Sequence, residues 1–258
     1  MVQTQYNIVI AGSGKLAKAW FAFFRHHNAV AHIEVLSRSF KLNGFPKDAH
    51  LKYSLQHINS KSNLFIIAVS DRAVSKLAKT IYARFPKALV CHCSGTVLLS
   101  DLPQPLSHKM VVYPMYSFNG QSQTDWSQVP LFIEGLTTKN KKTIVQDLFA
   151  NLHIYTCNSN ERIRLHCAAV ITHNFSNALL VWANSILPPK YQKHKVWYPL
   201  LHQWFTDLNS HLPKTLQTGP ALRNDKTTIQ KHIQLFSTQN SKVLYRKLTQ
   251  LIQTQHEL

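Results

Sequence analysis

Residues 8–20 read IVIAGSGKLAKAW, a run of β-branched and apolar residues followed by a glycine-rich turn and then by small and apolar residues at helical spacing. The pattern predicts a β-strand, a tight turn and the start of an α-helix. Gly12 permits the turn, Gly14 lets a ligand approach the backbone closely, and Ala17 is small enough for helix and strand to pack together. Because a helix N-terminus carries unpaired N–H groups and a partial positive charge, this stretch predicts a phosphate-binding turn.

Strand and helix patterns alternate through the first half of the chain. Continuous apolar runs predict buried strands within 63–70 and 88–95, with a helix over 71–85 between them. Another strand is predicted at 32–39. Weaker patterns predict strands at 111–118, 129–135 and 153–157 and a helix near 141–152. The alternation is typical of an α/β fold with a Rossmann-type parallel sheet, in which ligands bind at the carboxyl ends of the strands.

The end of the second predicted strand bears on the choice of cofactor. An NAD site usually has a carboxylate here for the ribose 2′-hydroxyl, whereas a 2′-phosphate favours an arginine and small hydroxyl donors. Arg38 lies between Ser37 and Ser39, and the nearby acid, Glu34, falls within the strand. The sequence therefore favours NADP over NAD; the alternative is that Arg38 is an ordinary solvated arginine. The predicted cofactor-binding residues are Gly12, Ser13, Gly14, Lys15, Leu16, Ser37, Arg38, Ala68, Val69, Ser70, Ser94 and Gly95.

The pattern changes at Asn158, where an N-cap residue followed three positions later by Glu161 predicts a capping box. From Glu161 the chain runs without glycine or proline to Leu187, which predicts one long helix. Further helices are predicted over 197–208, 227–236 and 243–253. We therefore place a Rossmann-like dinucleotide-binding domain at 1–157 and a helical domain at 158–258.

A polar stripe crosses the long predicted helix. At 100° per residue, His173 and Asn177 each fall about 20° from His166, and Asn174 falls about 80° away. Polar groups buried on such a face need hydrogen-bond partners, since an unpaired one costs about 1–3 kcal/mol. Two interpretations remain open. The stripe either lines a cleft that faces a nicotinamide and a substrate, or satisfies neighbouring backbone groups in a dimer or a helix bundle.

Composition argues against several classes of protein. The chain has 29 Lys and Arg against 11 Asp and Glu, a formal net charge of +18, which attracts polyanions in general. These charges are scattered and accompany no nucleic-acid-binding signature, so a basic surface is favoured over a nucleic-acid partner. The four cysteines lack the spacing of a metal site, so no metal is predicted. No apolar run approaches the roughly 18 residues of a membrane span, and we expect a cytoplasmic protein without a membrane partner.

Three motifs carry a resemblance to a known family. They are YPMYSF (113–118), RLHCAAVITHNFSNAL (164–179) and LQTGPALRNDKTTIQKH (216–232). Over essentially its whole length the chain resembles the Rossmann-like proteins with a C-terminal domain of unknown function, DUF2520, which are grouped with presumed NADP oxidoreductases. The resemblance implies a Rossmann domain followed by an all-helical domain for dimerisation and substrate binding. That domain is similar to those of 6-phosphogluconate dehydrogenase and pyrroline-5-carboxylate reductase, and commonly forms a homodimer.

The resemblance also implies site residues, because His166, Asn174, Arg223 and Asp225 match the family pattern, whereas Asn224 stands where the family more often has glycine. We expect an NADP-dependent oxidoreductase that transfers a hydride to or from a small carbonyl, imine or hydroxy acid, with His166, Asn174 and Arg223 as catalytic residues. His166 suits proton transfer near neutral pH, and a buried structural role is an equal alternative. Arg223 either holds a substrate carboxylate or pairs with Asp225 to fix the loop. Relatives place a lysine on the long helix, and its absence here motivates the alternative of a non-catalytic dinucleotide-binding sensor or interaction protein.

Overall fold

The structure, a computed structural model, describes residues 5–38, 44–47, 49–120 and 123–257. The chain divides into two compact units, Met1–Ser176 and Asn177–Leu258. The first unit thus contains the beginning of the predicted long helix. The domain boundary after residue 157 stays a prediction.

Eight strands form a single sheet in the first unit. They are β1 (Tyr6–Ala11), β2 (Val30–Leu36), β3 (His50–Lys52), β4 (Leu64–Ile67), β5 (Leu89–His92), β6 (Lys109–Pro114), β7 (Leu131–Glu134) and β8 (Ile154–Thr156). Their order is β3-β2-β1-β4-β5-β6-β7-β8, and neighbours are parallel except for β6 and β7. The predicted α/β class with a Rossmann-type parallel sheet is confirmed.

The antiparallel pair β6 and β7 departs from the parallel pattern. In the described part of the connection between Pro114 and Leu131, the one helical element is a short 3₁₀ turn, Trp126–Gln128. A parallel connection needs a crossover that carries the chain back to the starting edge of the sheet, usually with an α-helix. Without such a helix, the chain pairs with β6 in the opposite direction.

The register of the central strands brings four predicted segments to one edge of the sheet. Ala11, the last residue of β1, pairs with Leu36 at the end of β2 and with Ile67 at the end of β4. Ile67 in turn pairs with His92 at the end of β5. The glycine turn, Arg38 and the loops after β4 and β5 therefore all follow the carboxyl edge, as expected for ligand-binding loops of an α/β sheet.

Helices cover both faces of this sheet. The first unit contains α1 (Lys15–Phe24), α2 (Asp71–Arg84), α3 (Lys139–Phe149) and α4 (Ser159–Ala169). Ile8 and Ile10 of β1 share one core with the fully buried Trp20 of α1, whereas Val9 shares the other with Ile81 of α2. Burial on both faces explains why the strands read as continuous apolar runs instead of alternating patterns.

The long predicted helix forms with one irregularity. Its capping box is confirmed: Asn158 Oδ1 accepts from the Glu161 N–H at 3.0 Å, and a Glu161 carboxylate oxygen accepts from the Asn158 N–H at 2.8 Å. α4 continues as a π-helical turn, Val170–Phe175, and then as α5 (Ser176–Ile186). Such turns contain i→i+5 hydrogen bonds and are found frequently at functional sites.

The regular elements described in the second unit are all helical, as predicted. After α5 they comprise α6 (Pro189–Gln192), α7 (Tyr198–Asp207), a 3₁₀ turn at Pro213–Leu216, α8 (Lys226–Gln234) and α9 (Gln239–Gln255). No helix within the described ranges has the length and apolar character needed to cross a membrane.

The Thr-Gly-Pro segment forms the loop before α8. Asp225 caps this helix, with Oδ1 accepting from the Thr228 N–H at 3.0 Å and Oδ2 from the Thr228 hydroxyl at 2.7 Å. Asn224 has a φ of 51°, in the left-handed region that glycine adopts most easily and asparagine tolerates. The asparagine therefore preserves the backbone conformation that a glycine would take at this position.

Candidate functional site

Two cavities meet at the carboxyl edge of the sheet. The first, here the basic cavity, has a volume of about 750 Å³ and lies against the glycine turn and the ends of β2 and β4. The second, here the aromatic cavity, has a volume of about 760 Å³ and lies against the loops after β4, β5 and β6 and the helix α4 with its π-helical turn. Leu16, Ala68 and Val69 line both, so the two cavities adjoin.

The basic cavity collects most of the predicted cofactor-binding residues. Three separate segments supply them, one after each of β1, β2 and β4. The predicted residues in its lining are Ser13, Gly14, Lys15, Leu16, Ser37, Arg38, Ala68, Val69 and Ser70. Of the remaining three predictions, Ser94 and Gly95 line the aromatic cavity, and Gly12 lies in the turn itself without lining either one.

The two glycines of the turn have different physical roles. Gly12 has a φ of +143°, and a Cβ added to it would lie 2.2 Å from the carbonyl oxygen of Ala68. Only glycine fits at this position, because the positive φ disfavours a side chain and because the Ala68 carbonyl, just after β4, occupies the space that a Cβ would take. A Cβ on Gly14 would meet no atom within 4 Å, because this residue borders the open basic cavity. The absence of a side chain at Gly14 therefore leaves space for a ligand, and no atom of the described residues occupies that space.

The first turn of α1 is open for an anion. Gly14 is the N-cap, has no side chain to accept from the helix, and no acid occupies the first turn. The Lys18 N–H bonds to the Gly14 carbonyl at 3.1 Å, while the N–H groups of Lys15, Leu16 and Ala17 have no acceptor among the described residues. Unpaired N–H groups at a helix N-terminus are a typical phosphate site.

The residues at the end of β2 contribute one of the positive charges of the basic cavity. Arg38 is exposed and lines it beside the buried Ser37; Ser39 lies outside the described residues. Glu34 is only 2% exposed and is engaged elsewhere, accepting from the Asn59 N–H at 2.9 Å. Among the described residues of the lining, the charged side chains are Lys15, Arg38 and Lys76, and no carboxylate is present.

His166 lies in the aromatic cavity beside Tyr113. The Tyr113 hydroxyl and His166 Nδ1 are 3.2 Å apart, within hydrogen-bonding distance, and the two rings meet edge to face. Burial raises the pKa of Tyr113, and the positive charge of Arg162 opposes the shift. A Cβ on Gly95 would lie 2.4 Å from Cγ of His166, so only glycine allows the imidazole to pack against the loop after β5.

The π-helical turn determines which polar residues of the helix reach this cavity. His166, Thr172, His173 and Asn174 all contribute to the lining. An uninterrupted α-helix would separate Asn174 from His166 by about 80°. The structure nevertheless brings Asn174 and His166 to one cavity, and Asn174 itself lies within the π-helical turn. Asn177, which the helical wheel favoured, belongs to the second unit.

A buried arginine, which no sequence motif indicated, supports the loop after β5. This loop forms the floor of the aromatic cavity. Arg162 is fully buried and pairs with Glu134 at 2.9 Å. Its guanidinium also donates to the carbonyls of Ser94 at 2.8 Å and Val97 at 2.7 Å, which fixes the loop after β5. The sequence did contain a signal for this ion pair. Glu134 is an acid in the otherwise apolar strand β7, and a buried carboxylate needs a partner.

Arg223 is an exposed residue of the second unit, in the loop before α8, and is not among the residues that line the two cavities. The structure therefore brings His166 and Asn174 together within one unit, and the role of Arg223 stays a proposal. In the described part of the chain, no group of three or more His, Cys, Asp or Glu residues is arranged to hold a metal ion.

A glycine turn after the first strand of a parallel sheet, with an open helix N-terminus beyond it, defines a Rossmann-type dinucleotide-binding fold. The family resemblance is confirmed, because residues 129–252 match the family model described as "Domain of unknown function (DUF2520)". The matched range contains the motifs at 164–179 and 216–232, and the motif at 113–118 lies outside it. No curated protein matches the chain.

Solved structures share this fold over nearly the whole chain. A presumed NADP oxidoreductase from Bacteroides fragilis is 26% identical, with a TM-score of 0.81 and coverage of 96% of this chain and 98% of that one. A reductive aminase from Aspergillus terreus, in complex with NADPH, is 13% identical, with a TM-score of 0.66 and coverage of 97% and 93%. A pyrroline carboxylate reductase from Plasmodium falciparum, with NADP bound, is 12% identical, with a TM-score of 0.58 and coverage of 96% and 98%.

Proposed function

We propose that the protein is an NADP-dependent oxidoreductase that transfers a hydride to or from a small carbonyl, imine or hydroxy acid. The charge of the basic cavity carries this proposal. Three cations and no carboxylate line it in the described part of the chain, next to an open helix N-terminus. The similar structures that contain NADP or NADPH support the same assignment.

The residues of the basic cavity fit the parts of this cofactor. The N–H groups at the start of α1 would hold the pyrophosphate, and the open space beside Gly14 would admit it. Arg38 and Ser37 would bind the 2′-phosphate through charge-assisted and neutral hydrogen bonds. Where NAD binds, a carboxylate usually accepts from the ribose hydroxyls, and Glu34 is already engaged by backbone of its own chain.

The chemistry would take place in the aromatic cavity. A bound nicotinamide supplies the hydride. Ser94 and Gly95 would contact the nicotinamide ring, and His166 would supply the proton that the reduced substrate takes up. Tyr113 would hold the imidazole through Nδ1, and Asn174 would orient the substrate through its amide. For Arg223 we propose a role in holding the substrate.

Titration with NADPH and NADH, followed by fluorescence, tests the cofactor assignment. We expect the protein to bind NADPH more tightly than NADH. Arg38→Ala should weaken NADPH binding about 10- to 100-fold, because hydrogen bonds between charged groups contribute about 1.5–3 kcal/mol, and should change NADH binding less than about twofold. Arg25→Ala, an arginine at the end of α1 that does not line the cavity, is the matched control. Equal loss of both cofactors in Arg38→Ala would contradict a 2′-phosphate site.

The second candidate function is a sensor or interaction protein that binds the dinucleotide without turnover. The specific observation behind it is that no lysine lines the aromatic cavity among the described residues. A screen of carbonyls and imines separates the two. NADPH binding with no oxidation by any compound, and with partner binding unchanged in His166→Ala, would favour the sensor.

We also propose a cytoplasmic homodimer, formed through the helical half. Large apolar side chains are exposed in the second unit, among them Val181 at 65%, Leu200 at 75% and Phe205 at 61%. A contiguous apolar patch on a protein surface marks an interaction site, and these side chains are the candidates for such a patch. Light scattering on the purified protein should give twice the chain mass, and Val181→Glu with Phe205→Glu should shift it to the monomer. A wild-type monomer would refute the dimer.

A further inference from the structure

The lining of the aromatic cavity favours one charge of the substrate, and the proposed function does not specify that charge. Among the described residues that line this cavity, Asp71 is the one aspartate or glutamate, and no lysine or arginine is present. A substrate carboxylate entering this cavity would lose its hydration and meet the Asp71 carboxylate, and in the described lining only His166 and His173 could supply an opposing positive charge. Such a transfer is costly unless the charge is paired. The lining therefore disfavours an anionic substrate.

Three aromatic rings add an independent preference for a cation. Tyr113, Tyr116 and Phe118 line the cavity, and the rings of Tyr116 and Phe118 meet edge to face at 5.3 Å between centroids. The face of an aromatic ring carries partial negative charge, so an ammonium or iminium group near it is stabilised by about 0.5–2 kcal/mol. An uncharged carbonyl gains nothing comparable from these faces.

Asp71 has a carboxylate oxygen available for such a cation. It is the first residue of α2 and is exposed to the cavity. Its Oδ2 accepts from the Thr96 hydroxyl at 2.6 Å, which links the start of α2 to the loop after β5. In the described part of the chain, no hydrogen bond or ion pair engages Oδ1. The carboxylate is therefore held in place through one oxygen while the other remains exposed.

We infer that the substrate's reacting group is cationic, a small protonated imine or the amine that corresponds to it, and that Asp71 and the aromatic rings hold the charge. The inference rests on the proposed function and narrows its three substrate classes to one. His166 would supply the proton that makes the imine nitrogen cationic, and the hydride would then add to the imine carbon to give the amine. The positive charge of the nitrogen would lie beside the Asp71 carboxylate, whereas a hydroxy acid would bring a second carboxylate there.

Three ring compounds of one size and different charge test the inference. Cyclohexylammonium, cyclohexanol and cyclohexanecarboxylate are titrated calorimetrically into the full-length protein, with and without NADPH, which none of them oxidises. We expect cyclohexylammonium to bind at least about fivefold more tightly than the other two, in line with the strength of cation–π and ion-pair contacts. Tightest binding of the carboxylate would overturn the inference.

Asp71→Asn isolates the carboxylate, since the amide oxygen can still accept from Thr96. It should weaken cyclohexylammonium binding about fivefold and leave cyclohexanol within about twofold. Asp207→Asn removes the same charge at the end of α7, where the residue lines neither cavity, and should leave all three affinities unchanged. An unchanged ammonium affinity in Asp71→Asn would overturn the role of this residue.

The outcomes separate this inference from the proposed function. If NADPH does not bind, the oxidoreductase proposal fails, and the series without NADPH still decides the charge preference of the cavity. If NADPH binds and the carboxylate is favoured, the inference fails while the oxidoreductase proposal stands.

Discussion

The basic and aromatic cavities adjoin at one sheet edge and share three lining residues, yet their electrostatic character is opposite. Among the described residues, the basic cavity has three cations and an open helix N-terminus, which suit phosphate. The described lining of the aromatic cavity has one carboxylate and several rings, which suit an uncharged or cationic group. The contrast teaches that adjoining cavities at one edge of a sheet can differ in charge, because each loop contributes its own side chains.

The largest effect is expected from breaking the floor of the aromatic cavity. Arg162→Met would leave the Glu134 carboxylate buried without its partner and remove the donor from the carbonyls of Ser94 and Val97. Removing one partner of a buried ion pair typically costs about 3–5 kcal/mol. Urea unfolding should show a loss of that size.

A double variant distinguishes lost pairing from lost packing. Arg162→Met combined with Glu134→Leu removes both charges, and apolar replacement of a whole buried pair is often neutral or stabilising. We expect it to regain much of the lost stability. A loss below about 1 kcal/mol in the single variant would mean that the pair does not support the floor.

Gly14 and Gly12 offer a matched pair in the basic cavity. Gly14→Asp should lower NADPH affinity more than about 100-fold, because a carboxylate would meet the pyrophosphate at the helix N-terminus. Its stability should change little, since the added side chain has open space. Gly12→Ala should instead lose stability, because its Cβ would collide with the Ala68 carbonyl. Fluorescence titration and thermal unfolding measure the two effects, and NADPH binding that survives Gly14→Asp would contradict the site.

Lowering the pH should reduce the stability of the folded protein through His92, the last residue of β5. Burial, together with the positive charge of Arg162, lowers the pKa of His92 to about 3 from its ordinary 6.5. At pH above 6.5 the imidazole is neutral in both states and has no effect. Below it, the unfolded chain binds a proton that the folded protein does not, so stability falls until pH approaches 3.

Comparison with a variant measures this contribution. His92→Asn retains an acceptor for the Ser94 N–H, which donates to His92 Nδ1 at 3.2 Å, and removes the titration. Between pH 6 and 4, wild-type stability should fall more steeply than that of the variant, by up to about 1.4 kcal/mol per pH unit. Parallel pH profiles would show that His92 is protonated in the folded protein as well.

The smallest expected effect comes from Tyr113→Phe, which removes one hydroxyl. The net loss of a hydrogen bond should lower stability by about 0.5–1.5 kcal/mol. Nitrogen-15 spectra of the imidazole should show that His166 Nδ1 loses its partner, while NADPH binding is retained. Tyr116→Phe, another tyrosine of the same cavity, is the control and should leave the His166 signals unchanged. Unaltered His166 signals in Tyr113→Phe would contradict the proposed hydrogen bond between the Tyr113 hydroxyl and His166 Nδ1.

Much of the fold could be predicted from the sequence because its signals are local. The glycine turn, the apolar strands and the Asn158 capping box each depend on residues within a few positions of one another. Most predicted elements formed with shifted ends. The short strand β3 and the antiparallel direction of β7 were not predicted, because both depend on which strand lies alongside.

The candidate site was predictable where chain order alone brings loops to the carboxyl edge, as it does for Gly14, Arg38 and Ser94. The pairs Tyr113 with His166 and Arg162 with Glu134 join residues 53 and 28 positions apart, and no local pattern specifies them. The position of Asn174 depends further on a π-helical turn that helical periodicity does not anticipate.

The sequence by itself determined the α/β class, the phosphate-binding turn and the helical second half, because backbone conformation and burial follow from residues close together in the chain. Only the tertiary structure decided that Gly14 faces open space, that Glu34 is engaged away from the cavity, and that, among the described residues, lysine and arginine line one cavity and not the other. The electrostatic potential of a site is a sum over side chains that folding brings together. It depends on their distances in space, which separations along the sequence do not determine.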